Sequence, residues 1–301
     1  MASSLKYTVH RYGAHELQRV GVWDLDVADK TKYWIIKHAS TYFIHGGAWR
    51  DPRVTHQVFE PSISRILESS SDPASSGAGL GVAAFASIDY RLSPHPDFPQ
   101  DPATTPKDQL RLAIHPDHLD DVRAALAFLQ REFGFGKRYV LLGHSAGGCL
   151  AYQLLATAPP LSEAPKSKRE DPELPAAVLG IEGIYDMTGL NARVGGDYSG
   201  FLSAAFGPPA AWDQAAPMKF PGSYRDRFGG LAALAHSPDD ELVDMPETEG
   251  MAERLRGDVD EEKLVVFKDL KGKHEEIIED GSGVARVVLK ILTMLGDGDK
   301  V

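Results

Sequence analysis

A short stretch near the middle of the chain, RYVLLGHSAGGCL (138–150), most constrains the fold. The apolar run Tyr139 to Leu142 predicts a buried strand, and a helix is predicted from Gly147 onward. Between them, residues 143–147 fit the pattern G-x-S-x-G, in which small neighbours let a serine occupy a sharp, strained turn. An ordinary Gly-Ser loop is the alternative, but the flanking strand and helix argue against it. We therefore expect Ser145 to project from the end of the strand, at the positive end of the following helix.

Composition narrows the class of protein. The chain has 301 residues, 43% of them hydrophobic, and a formal net charge of -11. That charge argues against a nucleic-acid partner and against binding to an anionic membrane surface. The longest apolar stretch, residues 80–88, is too short to span a bilayer. Cys149 is the only cysteine, so no disulfide can form within the chain, and no apolar signal segment is visible at the N-terminus. We therefore expect a soluble, cytoplasmic protein.

Hydrophobic patterning predicts alternating strands and helices. Strands are predicted at 20–23, 33–36, 42–44, 82–90, 139–142, 176–184, 231–236 and 263–268, the first two at the sheet edge. Helices are predicted at 54–67, 116–133 (with Asp117 as its N-cap), from 147 onward, and at 246–256 and 283–295. This order indicates an α/β fold, with a mostly parallel sheet covered by helices on both faces. We expect one domain over 1–301, with a small lid at 186–230 and a surface insertion at 159–175.

Paired glycines follow the apolar run 42–44, in His45 to Trp49. Adjacent glycines allow backbone N–H groups to point at one spot without obstruction by side chains. Gly46, Gly47 and the N–H of Ala146 are therefore candidates for an oxyanion hole, which stabilises the negative charge of a tetrahedral intermediate. The alternative is an ordinary Gly-Gly turn.

A serine nucleophile in this context is followed along the chain first by an acid and then by a histidine. Only His236 and His274 lie downstream of Ser145, and His274 occupies a Gly-containing loop after a predicted strand. We expect His274 to be the general base, and His236, which precedes the candidate acids, to be structural.

Four acids compete for the remaining position: Asp239, Asp240, Glu241 and Asp244. The pattern D-x-x-V, in which Val243 anchors the loop, favours Asp240, and Asp239 is the second choice. Asp240 is expected to orient the imidazole and to stabilise its charged form.

Other motifs have weaker interpretations. Asp89 and Arg91 are expected to hydrogen-bond loops near the glycine turn. Trp49 and His144 are candidate substrate contacts, although His144 is at least as well placed to support the serine turn. No spacing resembles a metal site, and no nucleotide-binding glycine motif follows a strand, so we expect no metal or cofactor.

Taken together, HGGAW, DYRLSP, GHSAGG and HSPDDELV resemble the esterase and lipase branch of the α/β-hydrolases related to hormone-sensitive lipase. The longer string IHGGAWRDP (44–52) is similar to fungal kynurenine formamidases, also called arylformamidases. The resemblance runs from about Tyr42 to the C-terminus and implies an α/β-hydrolase fold with Ser145, Asp240 and His274 as its catalytic triad. Two features depart from the family pattern: Ala48 replaces the third glycine of the commoner HGGG loop, and the 159–175 insertion has no counterpart that we can match.

The resemblance implies hydrolysis of the small molecule N-formyl-L-kynurenine to L-kynurenine and formate, in tryptophan breakdown. A short-chain carboxylesterase of broad specificity is the alternative within the same mechanism. A ligand-binding protein without activity is a third possibility, but it would be expected to lack a triad member. A homodimer is compatible with the sequence, which does not fix the oligomeric state.

Overall fold

A computed structural model describes residues 5–38, 47–70, 81–156 and 171–298. In this part of the chain, eight strands form one sheet in the order β1-β2-β4-β3-β5-β6-β7-β8. Strand β2 pairs antiparallel with β1 and β4, and all the other neighbours are parallel. The strands are β1 (Lys6–Arg11), β2 (Arg19–Asp24), β3 (Tyr33–His38), β4 (Val82–Ile88), β5 (Tyr139–His144), β6 (Ala177–Ile181), β7 (Leu231–Ala235) and β8 (Leu264–Phe267).

Helices cover both faces of this sheet. They are α1 (Glu60–Ser70), α2 (Asp117–Phe133), α3 (Ala146–Ala156), α4 (Met187–Arg193), α5 (Ser199–Phe206), α6 (Pro209–Ala215), α7 (Met245–Arg256), α8 (Glu276–Asp280) and α9 (Ser282–Gly298). Neighbouring residues of one strand enter opposite cores: Leu141 joins the core beneath α2 to α7, and Leu142 the core beneath α1, α8 and α9. Strands β4 to β7 are buried on both faces, which explains why they are almost continuous apolar runs. The predicted α/β fold is confirmed.

The sheet position predicted for the N-terminal strands was wrong. Strand β3 lies between β4 and β5, near the centre of the sheet, and β2 is covered by β1, which the sequence did not indicate. Strand β1 alternates between exposed and half-buried residues and therefore has little hydrophobic signal. The strand expected at 42–44 lies outside the described residues.

The structure corrects two local predictions. Asp117 is the first residue of α2 rather than its N-cap, and its carboxylate accepts a hydrogen bond from the N–H of Ile114. The stretch expected to be helical from 54 begins with a 3-10 turn (His56–Phe59) before α1. No helix among the described residues is long and apolar enough to cross a membrane.

The segment between β6 and β7 holds three short helices, α4 to α6, where the sequence showed little periodicity. Buried side chains of all three belong to the same hydrophobic core as α2 and α3, among them Leu190, Leu202 and Trp212. The carboxyl ends of the parallel strands meet at one edge of the sheet, and these helices follow directly from the end of β6. Ligands of open α/β sheets bind at this edge.

Candidate active site

The turn between β5 and α3 places Ser145 at the carboxyl edge of the sheet. Ser145 has a φ of 54°, in the left-handed region that side chains other than glycine rarely adopt. A Cβ atom on Gly143 would lie 2.0 Å from the carbonyl oxygen of Gly147, and one on Gly148 would lie 2.8 Å from Cα of Gly183. The glycines are therefore required by the close approach of the turn to its neighbours.

Three backbone hydrogen bonds join the ends of four neighbouring strands, β5 to β8. The N–H of Ser145, after β5, donates to the carbonyl of Ile181 at the end of β6 (3.0 Å). Glu182, after β6, donates to Ala235 (2.9 Å), and His236, after β7, donates to Phe267 (2.8 Å). We call this series of bonds the strand-end ladder. It fixes the backbone at Ser145.

The histidine and the acid expected from the sequence meet directly. Nδ1 of His274 lies 2.8 Å from Oδ2 of Asp240, and both side chains are at least 98% buried. The second carboxylate oxygen of Asp240 accepts hydrogen bonds from the N–H groups of Leu242 and Val243, both at 2.9 Å. These hydrogen bonds explain the D-x-x-V pattern, because they hold the Asp240 carboxylate against the backbone of the residues that lead to Val243. Asp239, the second choice, is exposed.

Electrostatics suit His274 to accept a proton. Burial alone lowers the pKa of its imidazole, but the hydrogen bond and negative charge of Asp240 outweigh burial, so the pKa is raised above 6.5. His236 is different: burial lowers its pKa, and its ring nitrogens contact the Thr248 hydroxyl (2.7 Å) and the Val243 carbonyl (2.8 Å). These contacts agree with the structural role expected of His236.

A second buried carboxyl group, on Glu182, was not anticipated. Its Oε2 lies 3.4 Å from Nδ1 of His274 and 3.1 Å from Nε2 of His144, and its Oε1 accepts from the N–H of Ser237 (3.2 Å). Glu182 has a φ of 49° and is fully buried. Burial, followed by the charge of Asp240, raises its pKa well above the ordinary value. The sequence signal that could have identified Glu182 is an acidic residue within the otherwise apolar run 177–185.

His144 and Trp49, the two candidate substrate contacts, are both buried. The His144 ring packs against the His274 ring, with 4.4 Å between their centroids. The Trp49 ring packs edge-on against Phe206 at 4.8 Å. Neither residue lines the cavity described below. Among the described residues, ligand atoms of His144, Glu182 and His274 lie within 4.8 Å of one another, a spacing that would also admit a metal ion.

The glycine turn is described from Gly47 onward, so Gly46 lies outside the described residues. The Gly47 carbonyl accepts from the N–H groups of Arg50 and Asp51, and Ala48 and Trp49 have φ values of 29° and 61°. Ala146 is the first residue of α3. Its N–H is thus among the helix-terminal donors that have no partner within the helix. Asp89 accepts from the backbone and ring of His56, just after this turn, whereas Arg91 binds Asp121 of α2.

A cavity of about 190 Å³ opens onto both Ser145 and His274. Its apolar wall includes Ile184, Phe201, Leu242 and Val243, and its polar wall consists of Arg50, Asp197 and Tyr198. Tyr198 and Phe201 belong to the segment between β6 and β7, at the start of α5. The cavity thus brings the hydroxyl group of Ser145 and the imidazole of His274 together with an aromatic surface and two opposite charges.

Comparison with known proteins identifies close relatives. The chain is 35% identical to the kynurenine formamidase-like hydrolase fscH of Fusarium equiseti over 272 residues, which cover 88% of this chain and 84% of that protein. It is 32% identical to the kynurenine formamidase avaC of Aspergillus versicolor, covering 84% and 86% of the two chains. The kynurenine formamidase of Saccharomyces cerevisiae is 26% identical, with 79% and 83% covered. No family model matches the sequence.

Solved structures with the same fold include esterase B from Lactobacillus rhamnosus, with a TM-score of 0.65 at 15% identity over 100% of this chain and 89% of that one. A truncated carbohydrate esterase from gut microbiota has a TM-score of 0.64 at 16% identity, covering 97% and 99%. At these identities the likeness establishes the fold alone. Together with the relatives above, it shows that the chain belongs to the kynurenine formamidase family and has the α/β-hydrolase fold.

Proposed function

We propose that this protein is an arylformamidase that hydrolyses N-formyl-L-kynurenine to L-kynurenine and formate. The observation that carries the proposal is the opening of one cavity onto Ser145 and His274, with Asp240 bonded to the far nitrogen of that histidine. Membership of the kynurenine formamidase family supports the choice of substrate.

The reaction begins when Oγ of Ser145 attacks the formyl carbon and its proton passes to Nε2 of His274. Asp240 holds Nδ1 and stabilises the imidazolium without accepting the proton itself. The resulting oxyanion is stabilised by N–H groups of the glycine turn, Gly46 and Gly47, and by that of Ala146 at the N-terminus of α3.

The C–N bond then breaks, and His274 returns the proton to the departing aryl amine. Water, deprotonated by the same histidine, hydrolyses the formyl ester on Ser145 and releases formate. The acyl group is the smallest possible, whereas the leaving group is large and aromatic. The aromatic surface of Tyr198 and Phe201 in the cavity wall suits that leaving group.

Absorbance-monitored turnover of N-formyl-L-kynurenine, with p-nitrophenyl acetate run in parallel, tests the proposal. We expect a higher kcat/KM for the formamide than for the ester, and no turnover of either by Ser145→Ala. The substitution removes one hydroxyl oxygen and keeps the backbone hydrogen bonds of the turn, so the variant should unfold at an unchanged temperature. Ester cleavage without formamide cleavage would assign the protein to the general carboxylesterases, and an active Ser145→Ala variant would refute the mechanism.

Residues 186–230 are proposed to act as a cap over the cavity within a single domain, since Tyr198 and Phe201 from this segment form part of its wall. A cytoplasmic location is also proposed, because Cys149 is a free, buried thiol. Cell fractionation tests the location, and recovery of the protein with a secreted or organellar fraction would contradict it.

A further inference from the structure

We propose that Arg50 and Asp197 bind the carboxylate and the ammonium group of an α-amino-acid substrate, which makes the cavity selective for a zwitterion. The inference rests on the proposed function and extends it, because it assigns the end of the substrate that takes no part in the chemistry. Both residues lie in the wall of the cavity that contains Ser145 and His274.

Arg50 forms no ion pair with any acid of the described residues, and the charges of Asp97 and Asp51 act on it only from a distance. It follows the glycine turn and is half-buried, and its guanidinium lies 5.7 Å from the centroid of the Phe201 ring. Nε of Arg50 is buried and has no hydrogen-bond partner among the described residues. The nearest acid in sequence, Asp51, is engaged by Arg53 through both oxygens, at 3.0 and 2.6 Å. Burial lowers the pKa of Arg50, as expected for a cation whose surroundings do not fully compensate for lost water.

Asp197 supplies the opposite charge in the same cavity. It lies on the turn between α4 and α5, and its carboxylate forms no ion pair with any described residue, including Arg50. The next residue, Tyr198, donates its hydroxyl hydrogen to the carbonyl of Leu242 at 2.7 Å. This bond ties the Asp197 turn to the loop that carries Asp240. The position of Asp197 is therefore fixed relative to the triad.

Two unpaired, opposite charges in one cavity match a ligand that carries both charges itself. An α-amino acid has a carboxylate and an ammonium group on a single carbon atom. The planar guanidinium of arginine binds a carboxylate through two parallel hydrogen bonds, and aspartate accepts hydrogen bonds from an ammonium group. The aromatic surface of Tyr198 and Phe201 would then contact the aryl group that joins the charged end to the formamide.

Three formamide substrates separate the two contacts. The first is N-formyl-L-kynurenine. The second lacks the ammonium group and keeps the carboxylate, 4-(2-formamidophenyl)-4-oxobutanoate. The third lacks the carboxylate and keeps the ammonium group, 3-amino-1-(2-formamidophenyl)propan-1-one. The kcat/KM of each is measured for the wild type, Arg50→Gln, Arg50→Lys and Asp197→Asn, with thermal unfolding to verify the fold.

Arg50→Gln should lower kcat/KM about 10- to 100-fold for the two substrates with a carboxylate, relative to the third, as expected for loss of a charge-assisted contact. Arg50→Lys should recover part of this preference, because it keeps the charge but not the planar geometry. Asp197→Asn should lower kcat/KM about fivefold for the two substrates with an ammonium group, a smaller change because Asp197 is exposed.

Arg256→Gln is the matched control, since it makes the same change in charge at an exposed arginine paired with Glu253 on α7. It should leave the substrate ratios unchanged. An equal loss on all three substrates in Arg50→Gln, or no loss on any, would overturn the inference.

Titration with L-kynurenine separates this inference from the proposed reaction. Binding that Arg50→Gln weakens, in a protein that cleaves no formamide, would refute the reaction and support the subsite. Formamide cleavage whose substrate ratios do not respond to Arg50→Gln would refute the subsite and leave the reaction standing.

Discussion

Glu182→Gln is expected to leave catalysis almost unchanged, although Oε2 of Glu182 lies 3.4 Å from Nδ1 of His274, the proposed general base. The reason is that Asp240 carries the negative charge beside the His274 imidazole, whereas burial and this charge keep Glu182 neutral. Glutamine reproduces a neutral glutamic acid closely: its carbonyl accepts from the N–H of Ser237, and its amide faces His144. We therefore expect kcat/KM to change by less than about threefold.

The size of the repulsion supports this expectation. Oxygens of Asp240 and Glu182 lie 2.8 and 3.4 Å from the same nitrogen of His274, so they are at most about 6 Å apart. At an effective dielectric constant of about 20, two negative charges at that distance repel by about 3 kcal/mol. This free energy adds to the cost of burying a charged Glu182, and the two together raise the pKa of its carboxyl group.

The assay is the pH dependence of kcat/KM for N-formyl-L-kynurenine, whose acidic limb follows the pKa of His274 in the free enzyme. Glu182→Gln should leave the midpoint of that limb in place. The matched control is Asp240→Asn, which makes the same carboxyl-to-amide change in the other carboxyl group beside Nδ1 of His274. It should lower the midpoint and reduce kcat by about 10³- to 10⁴-fold, because the charge that stabilises the imidazolium is lost.

A downward shift of more than about one pH unit in Glu182→Gln would refute the reasoning. Such a shift would mean that Glu182 carries charge beside His274 and shares the role assigned to Asp240. A loss of stability without a shift would instead indicate that the hydrogen bond to Ser237 needs a carboxylate, which thermal unfolding of the variant would reveal.

Two further predictions concern the acidic limb and the serine turn. In the wild type, kcat/KM should fall as the pH drops through a midpoint above 6.5, because the raised pKa of His274 leaves the base protonated below it; a midpoint below 6 would contradict this. Gly143→Ala should lower the free energy of unfolding in urea by at least about 3 kcal/mol, since its Cβ would lie 2.0 Å from a backbone oxygen. Gly257→Ala, with open space around the position, should change it by no more than about 1 kcal/mol, and equal effects would show that the turn tolerates a side chain.

Local motifs predicted much of the site because each has a short-range physical cause. The spacing of Gly143, Ser145 and Gly147 is imposed by one tight turn, and the D-x-x-V pattern at Asp240 by one loop of hydrogen bonds to backbone N–H groups. The order of acid and base along the chain follows from the order of the parallel strands. Such features can be predicted without knowing which strands are neighbours.

Features that depend on long-range pairing could not be predicted in this way. The pattern of residues 33–36 is equally suited to an edge strand and to β3 at the centre of the sheet, since strand order is set by partners far away in sequence. Glu182 lies in an apolar run, but its protonation and its role depend on His274, Asp240 and His144. These residues lie at or after the ends of other strands of the sheet. Arg50 gives no local signal in the sequence, because only the folded cavity shows that its Nε has no hydrogen-bond partner among the described residues.

The strand-end ladder has a consequence for how this protein can be altered. The bonds that hold Ser145, Glu182 and His236 join main-chain atoms within the sheet, and no side chain of the segment 197–201 takes part in them. New specificity can therefore be selected by randomising positions 50 and 197, while the backbone hydrogen bonds at Ser145 and the Tyr198 bond to the Asp240 loop stay in place. The residues that position the reacting groups are therefore distinct from the two charged residues that would select the substrate, and a mutant library can change the second set without the first.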